Sequence, residues 1–215
     1  MNSPKKLTDS GDRRFMKSAL ALARRGLGTV APNPSVGCVI VTPEGRMIGR
    51  GWTQPGGRPH AETEALAQAG QAAHGATAYV TLEPCSHTGR TPPCCEALIN
   101  SGVARVVVAI EDPDERVSGR GIAMLEDAGI DVSLGVMSEE ASALNLGFLL
   151  HRQQGRPLVT LKFATTLDGR IAVQNGESRW ITGPEARRRA HLMRMRHDAI
   201  VVGIGTALLD DPELT

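Results

Sequence analysis

Residues 78–95, AYVTLEPCSHTGRTPPCC, decide how the first half of the chain is organised. The apolar run 78–82 is typical of a buried strand, and Pro84-Cys85 follows at its carboxyl end. The pair Pro92-Pro93 suits the start of a helix, because proline is tolerated where the backbone N–H has no partner. Cys94 then falls in the first turn of that helix. The stretch predicts a strand, a loop and a helix that carry two cysteines to one edge of a sheet.

A histidine and a glutamate precede this stretch in Pro59-His60-Ala61-Glu62, where the pattern becomes helical. One imidazole and two thiolates are the kind and number of protein ligands that a catalytic zinc ion takes, with a fourth position open to water. We therefore predict His60, Cys85 and Cys94 as metal ligands. Glu62 is the candidate catalytic residue, because a carboxylate beside the metal can carry protons without binding it. This set of groups suits hydrolytic removal of an amino group from a ring carbon.

Other interpretations of these residues remain open. The cysteines are nine positions apart, not three as in zinc deaminases that act on nucleic-acid bases. A closed structural zinc site would need a fourth ligand, for which Cys95 and His87 are candidates, although such sites more often use paired C-x-x-C units. Without a metal, the cysteines would be buried apolar residues and His60 a surface residue. Cys38 lies within a predicted strand and is expected to be a small buried hydrophobe.

Helical and strand patterns alternate along the rest of the first half. Helices are predicted at 12–25, 60–73, 121–127 and 138–150, and strands at 36–41, 47–51, 103–110 and 130–134. The turn residues at 43–45 predict that strand 47–51 returns as the antiparallel partner of strand 36–41. This alternation argues for an α/β fold, a three-layer α/β/α sandwich with a largely parallel sheet.

The composition turns polar near residues 151–157, so we predict two domains, 1–150 and 151–215. The second unit shows strand patterns at 158–162 and 199–203. A Thr-x-x-Glu capping box at 182–185 predicts a helix that ends near Arg196. A domain of this size is marginal without outside support.

Composition excludes several classes of protein. The net charge is +1 and aromatic residues make up 3% of the chain, which leaves little basic or stacking surface for nucleic acid. No apolar run approaches the roughly 18–20 residues that span a bilayer. The first residues contain lysines without an apolar segment after them, so no secretory signal is expected. Four cysteines without an export signal favour metal binding over disulfides. We expect a soluble, cytoplasmic enzyme that acts on a small molecule.

Several motifs carry a resemblance to a known family. In the first unit they are APNPSVG at 31–37, GRPHAE at 57–62 and EPCSHTGRTPPC at 83–94; in the second they are KFATTLDGR at 162–170, SRWITG at 178–183, DAIVVG at 198–203 and DDP at 210–212. They resemble the bifunctional deaminase–reductases of riboflavin biosynthesis. The resemblance covers essentially the whole chain. It implies a cytidine-deaminase-like domain followed by the start of a dihydrofolate-reductase-like α/β domain.

The resemblance also implies roles for individual residues. The substrate would be a diaminopyrimidinone ribosylamine 5′-phosphate that loses its 2-amino group, with zinc on His60, Cys85 and Cys94 and Glu62 as proton shuttle. The residues lining the substrate pocket would be Asn33, His87 and Arg90. The NADPH contacts of the reductase would be Ala164, Trp180, Thr206 and Asp210, and its substrate contacts Ser178, Arg194 and Leu214.

The chain departs from this family in two respects. Thr53 stands where the family usually has histidine, so phosphate recognition is expected to move to Arg58 or Arg90. A complete reductase domain of the family is about three times longer than residues 151–215. We therefore expect deamination without reduction, and self-association through the unfinished second unit.

Alternative functions remain at this point. A zinc deaminase of another kind would act on a free cytidylate or on a tRNA base. A binding module would retain a structural zinc without catalysis. The run Arg187-Arg188-Arg189 could indicate an anionic partner, although a basic helix face is more often simply solvated.

Overall fold

The computed structural model describes residues 9–88, 92–114 and 118–214. They form two compact units, Met1–Leu158 and Val159–Thr215. Within the described residues, no helix combines the length and the apolar character needed to cross a membrane.

Among its described residues, the first unit contains five strands and six α-helices. The strands are β1 (Gly37–Val41), β2 (Met47–Trp52), β3 (Thr77–Val80), β4 (Arg105–Val108) and β5 (Asp131–Leu134). The helices are α1 (Asp9–Ala23), α2 (Ala61–Ala69), α3 (Cys94–Asn100), α4 (Arg120–Asp127), α5 (Ser138–Leu144) and α6 (Leu146–Gln154). The helix predicted at 138–150 is thus two helices, and the predicted domain boundary after residue 150 lies inside α6.

The strands form one sheet in the order β2-β1-β3-β4-β5. β1 pairs antiparallel with both β2 and β3, whereas β3–β4 and β4–β5 are parallel. The antiparallel β1–β2 pair agrees with the prediction, but the antiparallel β1–β3 pair does not, so the sheet is mixed and not largely parallel. The turn at 42–46 is too short for a crossover, so β2 must return antiparallel to β1. The α/β class is confirmed.

Helices cover both faces of the sheet. In β1, Cys38 and Ile40 belong to the core under α2, α3 and α4, while Val39 and Val41 belong to the core under α1 and α5. This division follows from the two-residue period of a strand, which sends alternate side chains to opposite faces. All of β1 is buried. The three-layer arrangement predicted from the sequence is therefore present.

Glycine allows α2 to lie directly against β2. A Cβ atom on Gly51 would stand 2.2 Å from the carbonyl oxygen of Ala61, at the start of α2. No real Cβ makes such a contact, so any side chain at Gly51 would push the helix start away from the sheet. This close contact fixes the position of the residues that begin α2.

A buried polar cluster joins α1 to the sheet. The hydroxyl of Tyr79 donates to Asp12 at 2.9 Å, and both terminal nitrogens of Arg105 donate to the same carboxylate at 2.9 Å. Arg105 also donates to Ser133 on β5 at 2.8 Å. The carboxylate is nearly inaccessible to solvent, so these charge-assisted bonds contribute to holding α1 in place.

The second unit contains two helices among its described residues, α7 (Pro184–Met195) and α8 (Ile204–Asp210). No strand forms in the described residues 155–214, so the strands predicted at 158–162 and 199–203 are absent. A strand needs a hydrogen-bonded neighbour, and these segments have none there. The predicted capping box is also wrong. Gly183 is the N-cap of α7 and makes no side-chain cap.

Candidate metal centre and pocket

Three structural elements bring the predicted metal ligands together. His60 is the N-cap residue of α2, Cys94 is the first residue of α3, and Cys85 lies in the loop that follows β3. Their candidate ligand atoms all lie within 4.8 Å of one another. Among the described residues, this is the one group of three or more His, Cys or carboxylate side chains that could hold a metal ion.

The spacing of the three side chains fits a zinc ion. His60 Nδ1 lies 3.3 Å from Cys94 Sγ and 3.7 Å from Cys85 Sγ. A tetrahedral zinc with nitrogen at about 2.05 Å and sulfur at about 2.3 Å separates these two kinds of ligand by about 3.6 Å. The observed distances lie on either side of that value, so the donor set could take the ion with little movement.

The electrostatics of the cluster also favour a cation. The hydrogen bond from Cys94, helped by His60, lowers the pKa of Cys85 to about 4, and the backbone N–H of Cys94 donates to the same sulfur at 3.3 Å. The hydrogen bond with Cys85 raises the pKa of His60, and sharing a proton with Cys85 raises that of Cys94. Cys85 is therefore a thiolate that these neighbours stabilise. A bound metal ion would stabilise the Cys85 thiolate in place of the hydrogen bonds from Cys94 and His60.

Cys95 points away from the cluster. Its thiol donates to the carbonyl of Pro84 at 3.2 Å and contacts that of Gly121 at 3.5 Å. Burial raises its pKa, which keeps it a neutral thiol. His87 does not belong to the group of candidate ligands either. Within the described residues, neither candidate completes a closed four-ligand site. Cys38 is fully buried in β1, as predicted.

Glu62 lies in the first turn of α2 and only 3% of it is exposed. It lines the same pocket as His60 and Cys85. Burial, and next the nearby negative charge of Cys85, raise the pKa of Glu62 to about 7. A carboxyl group with a pKa near neutrality can both accept and donate a proton during turnover.

The pocket joins the cluster to residues from four other parts of the first unit. It is lined by Pro32, Asn33, Pro34, Val36, Thr53, Arg58, His60, Glu62, Leu82, Glu83, Cys85, His87, Asp112, Asp114, Phe148 and Arg152. The structure thus brings Asn33 and His87 to the predicted site. Arg90 lies outside the described residues. His87 Nδ1 is buried and has no hydrogen-bond partner among the described residues, which suits a side chain that binds a ligand.

Side chains from distant segments hold the loop that carries Asn33. The hydroxyl of Thr53 accepts from Val36 N at 2.9 Å and donates to Pro34 O at 3.2 Å. Asn145 accepts from Ser35 N at 2.9 Å and donates to Ser35 O at 3.0 Å. The Thr53 side chain therefore holds the backbone of this loop. The family that the sequence resembles usually has a substrate-holding histidine at this position.

Sequence reasoning did not identify Glu83, Asp112, Asn145 or Arg152 as part of this site. One feature of the sequence points to Asn145: it is a polar residue within the apolar pattern of the helix predicted at 138–150. The others left none, because their roles depend on contacts with the backbone or with residues far along the chain.

The candidate reductase residues lie in the second unit. Arg194 and Leu214 line one open concavity, and Arg194 donates to the carbonyl of Glu213 at 3.1 Å. Trp180 is exposed, with the guanidinium of Arg187 4.1 Å from its ring centre. The remaining candidates are Thr206 and Asp210 on α8, and Ala164 and Ser178 in irregular segments. Their assigned roles stay predictions.

Comparisons with known proteins match two separate parts of the chain. Residues 9–110 match the cytidine and deoxycytidylate deaminase zinc-binding region, and residues 157–215 match the RibD C-terminal domain. The riboflavin biosynthesis protein RibD of Escherichia coli is 55% identical over 95% of this chain and 55% of its own length. That of Aquifex aeolicus is 52% identical over 95% of this chain and 57% of its own.

Solved structures give the same result. RibD of Acinetobacter baumannii aligns with a TM-score of 0.88 and 49% identity, covering 96% of this chain and 58% of its own. A Thermotoga maritima protein described as a diaminohydroxyphosphoribosylaminopyrimidine deaminase and 5-amino-6-(5-phosphoribosylamino)uracil reductase aligns with a TM-score of 0.90 and 44% identity, covering 96% of this chain and 59% of its own. The chain thus spans a little more than half the length of the relatives it matches, and over that length it is similar to the RibD proteins of riboflavin biosynthesis.

Proposed function

We propose that this chain is a zinc-dependent aminohydrolase that removes the 2-amino group of a diaminopyrimidinone ribosylamine 5′-phosphate. The observation that supports this most is the pocket itself. His60, Cys85 and Cys94 present three ligand atoms at zinc spacing, and Glu62 lies buried beside them without being one of the three. The proposed substrate follows from the deaminase activity for which the Thermotoga maritima relative is named.

Glu62 would carry the protons of the reaction. A zinc ion held by His60, Cys85 and Cys94 would supply Lewis-acid activation of the attacking water, whose pKa it would lower toward about 7. The Glu62 carboxylate would accept one proton of that water and pass it to the ring nitrogen beside the carbon to which the water oxygen bonds. Glu62 would then move the second proton from the new hydroxyl group to the amino group, so that the carbon–nitrogen bond breaks, ammonia leaves and a carbonyl remains. Burial of Glu62 keeps bulk water from competing for these protons.

Other pocket residues would bind and orient the substrate. Asn33 donates through Nδ2 to the carbonyl of Gly57 at 2.8 Å, which fixes the direction of its amide group. Because the Thr53 hydroxyl is engaged with the backbone of the Asn33 loop, we assign phosphate recognition to a guanidinium. Arg58 lines the pocket, and Arg90 remains the second candidate from the sequence.

Release of ammonia from the phosphorylated diaminopyrimidinone tests this proposal, with and without zinc chelation. Ammonia release that chelation stops and zinc restores would support it. Turnover of cytidylate, but not of the diaminopyrimidinone, would instead favour a zinc deaminase of another kind. Zinc content of one per chain, without ammonia release from any aminopyrimidine, would favour a binding module.

Deamination is the only activity that we propose for this chain. The candidate NADPH and sugar contacts lie in a unit whose described residues form no sheet, and NADPH oxidation dependent on the deaminated product would show otherwise. Self-association and a cytoplasmic location also remain proposals. Exposed apolar side chains such as Leu161 and Phe163 support self-association, which sedimentation velocity can test.

A further inference from the structure

Glu83 makes an unusual set of contacts for a residue next to the metal ligands. It is 3% exposed, and its carboxylate accepts four backbone hydrogen bonds. Oε1 accepts from Gly121 N at 2.8 Å and Ile122 N at 3.2 Å, and Oε2 accepts from Asp112 N and Gly119 N, both at 3.1 Å. No ion pair of Glu83 is present in the described part of the chain. Four N–H groups therefore replace a cation as partners of the buried charge.

All four donors lie beyond the part of the chain that matches the deaminase zinc-binding region. That match ends at residue 110, and Glu83 lies within it. The donors belong to the segment that leads from β4 to the first turn of α4. Asp112 and Asp114, in the same segment, line the pocket together with His60 and Glu62. Glu83 thus links the metal-binding region to a part of the pocket wall, Asp112 and Asp114, that lies outside the match to the deaminase zinc-binding region.

The contact between Glu83 and this wall leaves no free space. A Cβ atom on Gly121 would stand 2.2 Å from the carbonyl oxygen of Pro84, 3.0 Å from Glu83 Oε1 and 3.1 Å from Cys95 Sγ. The wall therefore lies directly against the residues that lead into Cys85. Because the backbone at Gly121 is packed this tightly against Pro84, Glu83 and Cys95, a change in the hydrogen bonds of Glu83 should displace the start of α4.

We propose that Glu83 is a positioning residue: it fixes the backbone at the pocket-lining Asp112 and at the start of α4, and thereby determines how well substrate is bound. This proposal rests on the proposed function, because it concerns the same pocket. Glu83 itself lines the pocket, but both of its carboxylate oxygens already accept hydrogen bonds from backbone N–H groups, so we assign it a positioning role and not a catalytic one. The metal ligands have supports of their own: Cys94 N donates to Cys85 Sγ, and Cys95 N donates to Cys85 O at 3.2 Å. Loss of Glu83 should therefore affect substrate binding more than metal binding or the chemical step.

The test is Glu83→Gln, which keeps the shape but turns an amide NH₂ toward backbone N–H donors. We expect KM for the phosphorylated diaminopyrimidinone to rise at least tenfold, with kcat within about threefold and zinc at one per chain. Glu126→Gln removes a carboxylate from the exposed face of the same helix α4 and should leave KM unchanged. Tyr79→Phe removes a buried hydrogen bond outside the pocket and shows what simple destabilisation does.

A second readout does not depend on activity. Hydrogen exchange at the amides of Gly119, Gly121 and Ile122 should become at least tenfold faster in Glu83→Gln, while exchange in α1 stays the same. If KM changes less than twofold while the thermal midpoint falls as in Tyr79→Phe, Glu83 is only structural and the proposal is overturned. If the wild type releases no ammonia, the proposed function fails. Hydrogen exchange then decides alone, and unchanged exchange at the three amides overturns the proposal.

Discussion

Asn145 offers a quantitative test of how the pocket is held together. It lies between α5 and α6 and is 5% exposed, and its amide pairs with both the N–H and the C=O of Ser35, which is 2% exposed. Asn145→Leu keeps the number and branching of side-chain heavy atoms but removes both groups that pair with Ser35. An unpaired buried polar group costs about 1–3 kcal/mol, so two such groups give a loss of about 2–6 kcal/mol. Partial entry of water and the burial of leucine reduce this, and we expect about 2–4 kcal/mol.

Urea unfolding measures the stability change, and the initial rate of ammonia release measures the functional one. Because the loop next to Ser35 carries Asn33 into the pocket, KM should rise about tenfold while zinc content stays at one per chain. Asn100→Leu makes the same substitution at the exposed end of α3 and serves as the control. An unfolding free energy within about 0.5 kcal/mol of wild type, with KM unchanged, would refute the role of this pairing.

Three further predictions concern the metal centre and the loop. Glu62→Gln should retain zinc but lose at least about 10²-fold in kcat, because the amide cannot carry protons; full activity would show that Glu62 is not the shuttle. Cys94→Ala should abolish zinc retention in dialysed protein, whereas Cys95→Ala should retain one zinc by elemental analysis, since the Cys95 thiol bonds only to backbone carbonyls. Thr53→Val should raise KM and lower the free energy of unfolding by about 1–3 kcal/mol, because Val36 N and Pro34 O lose a buried hydrogen-bond partner. Thr53→Ser keeps the hydroxyl and should stay near wild type. Equal effects of the two substitutions would contradict this role of the hydroxyl.

The parts that the sequence predicted well depend on short-range patterns. The ligand residues were identifiable because zinc restricts ligand type and number, and because a helix start and a strand end place side chains in known ways. The order of strands and helices followed from hydrophobic period. Strand direction was harder. The turn after β1 gives the β1–β2 pairing, but nothing local indicates that β1 also pairs antiparallel with β3.

The parts that were missed depend on partners without a sequence pattern. Backbone N–H groups look alike in every sequence, so the four donors to Glu83 could not be predicted. Asn145 and Ser35 are 110 positions apart. The segments at 158–162 and 199–203 have strand-like composition, yet a strand forms only beside another strand. The sequence has the capping-box pattern at Thr182, but the helix begins one residue later, so Gly183 is the N-cap and no side chain caps the helix.

Glu83 and Asn145 lead to the same conclusion about how this site is built. Each connects the zinc-binding region at 9–110 to the segment between the two matched regions, Glu83 through α4 and Asn145 through the α5–α6 junction. That segment contributes Asp112, Asp114, Phe148 and Arg152 to the pocket. The groups proposed to bind zinc and carry protons therefore come from the part that matches the deaminase zinc-binding region, whereas this part of the pocket wall comes from outside it. Substitutions in the segment should alter which aminopyrimidine is accepted before they alter zinc binding or proton transfer.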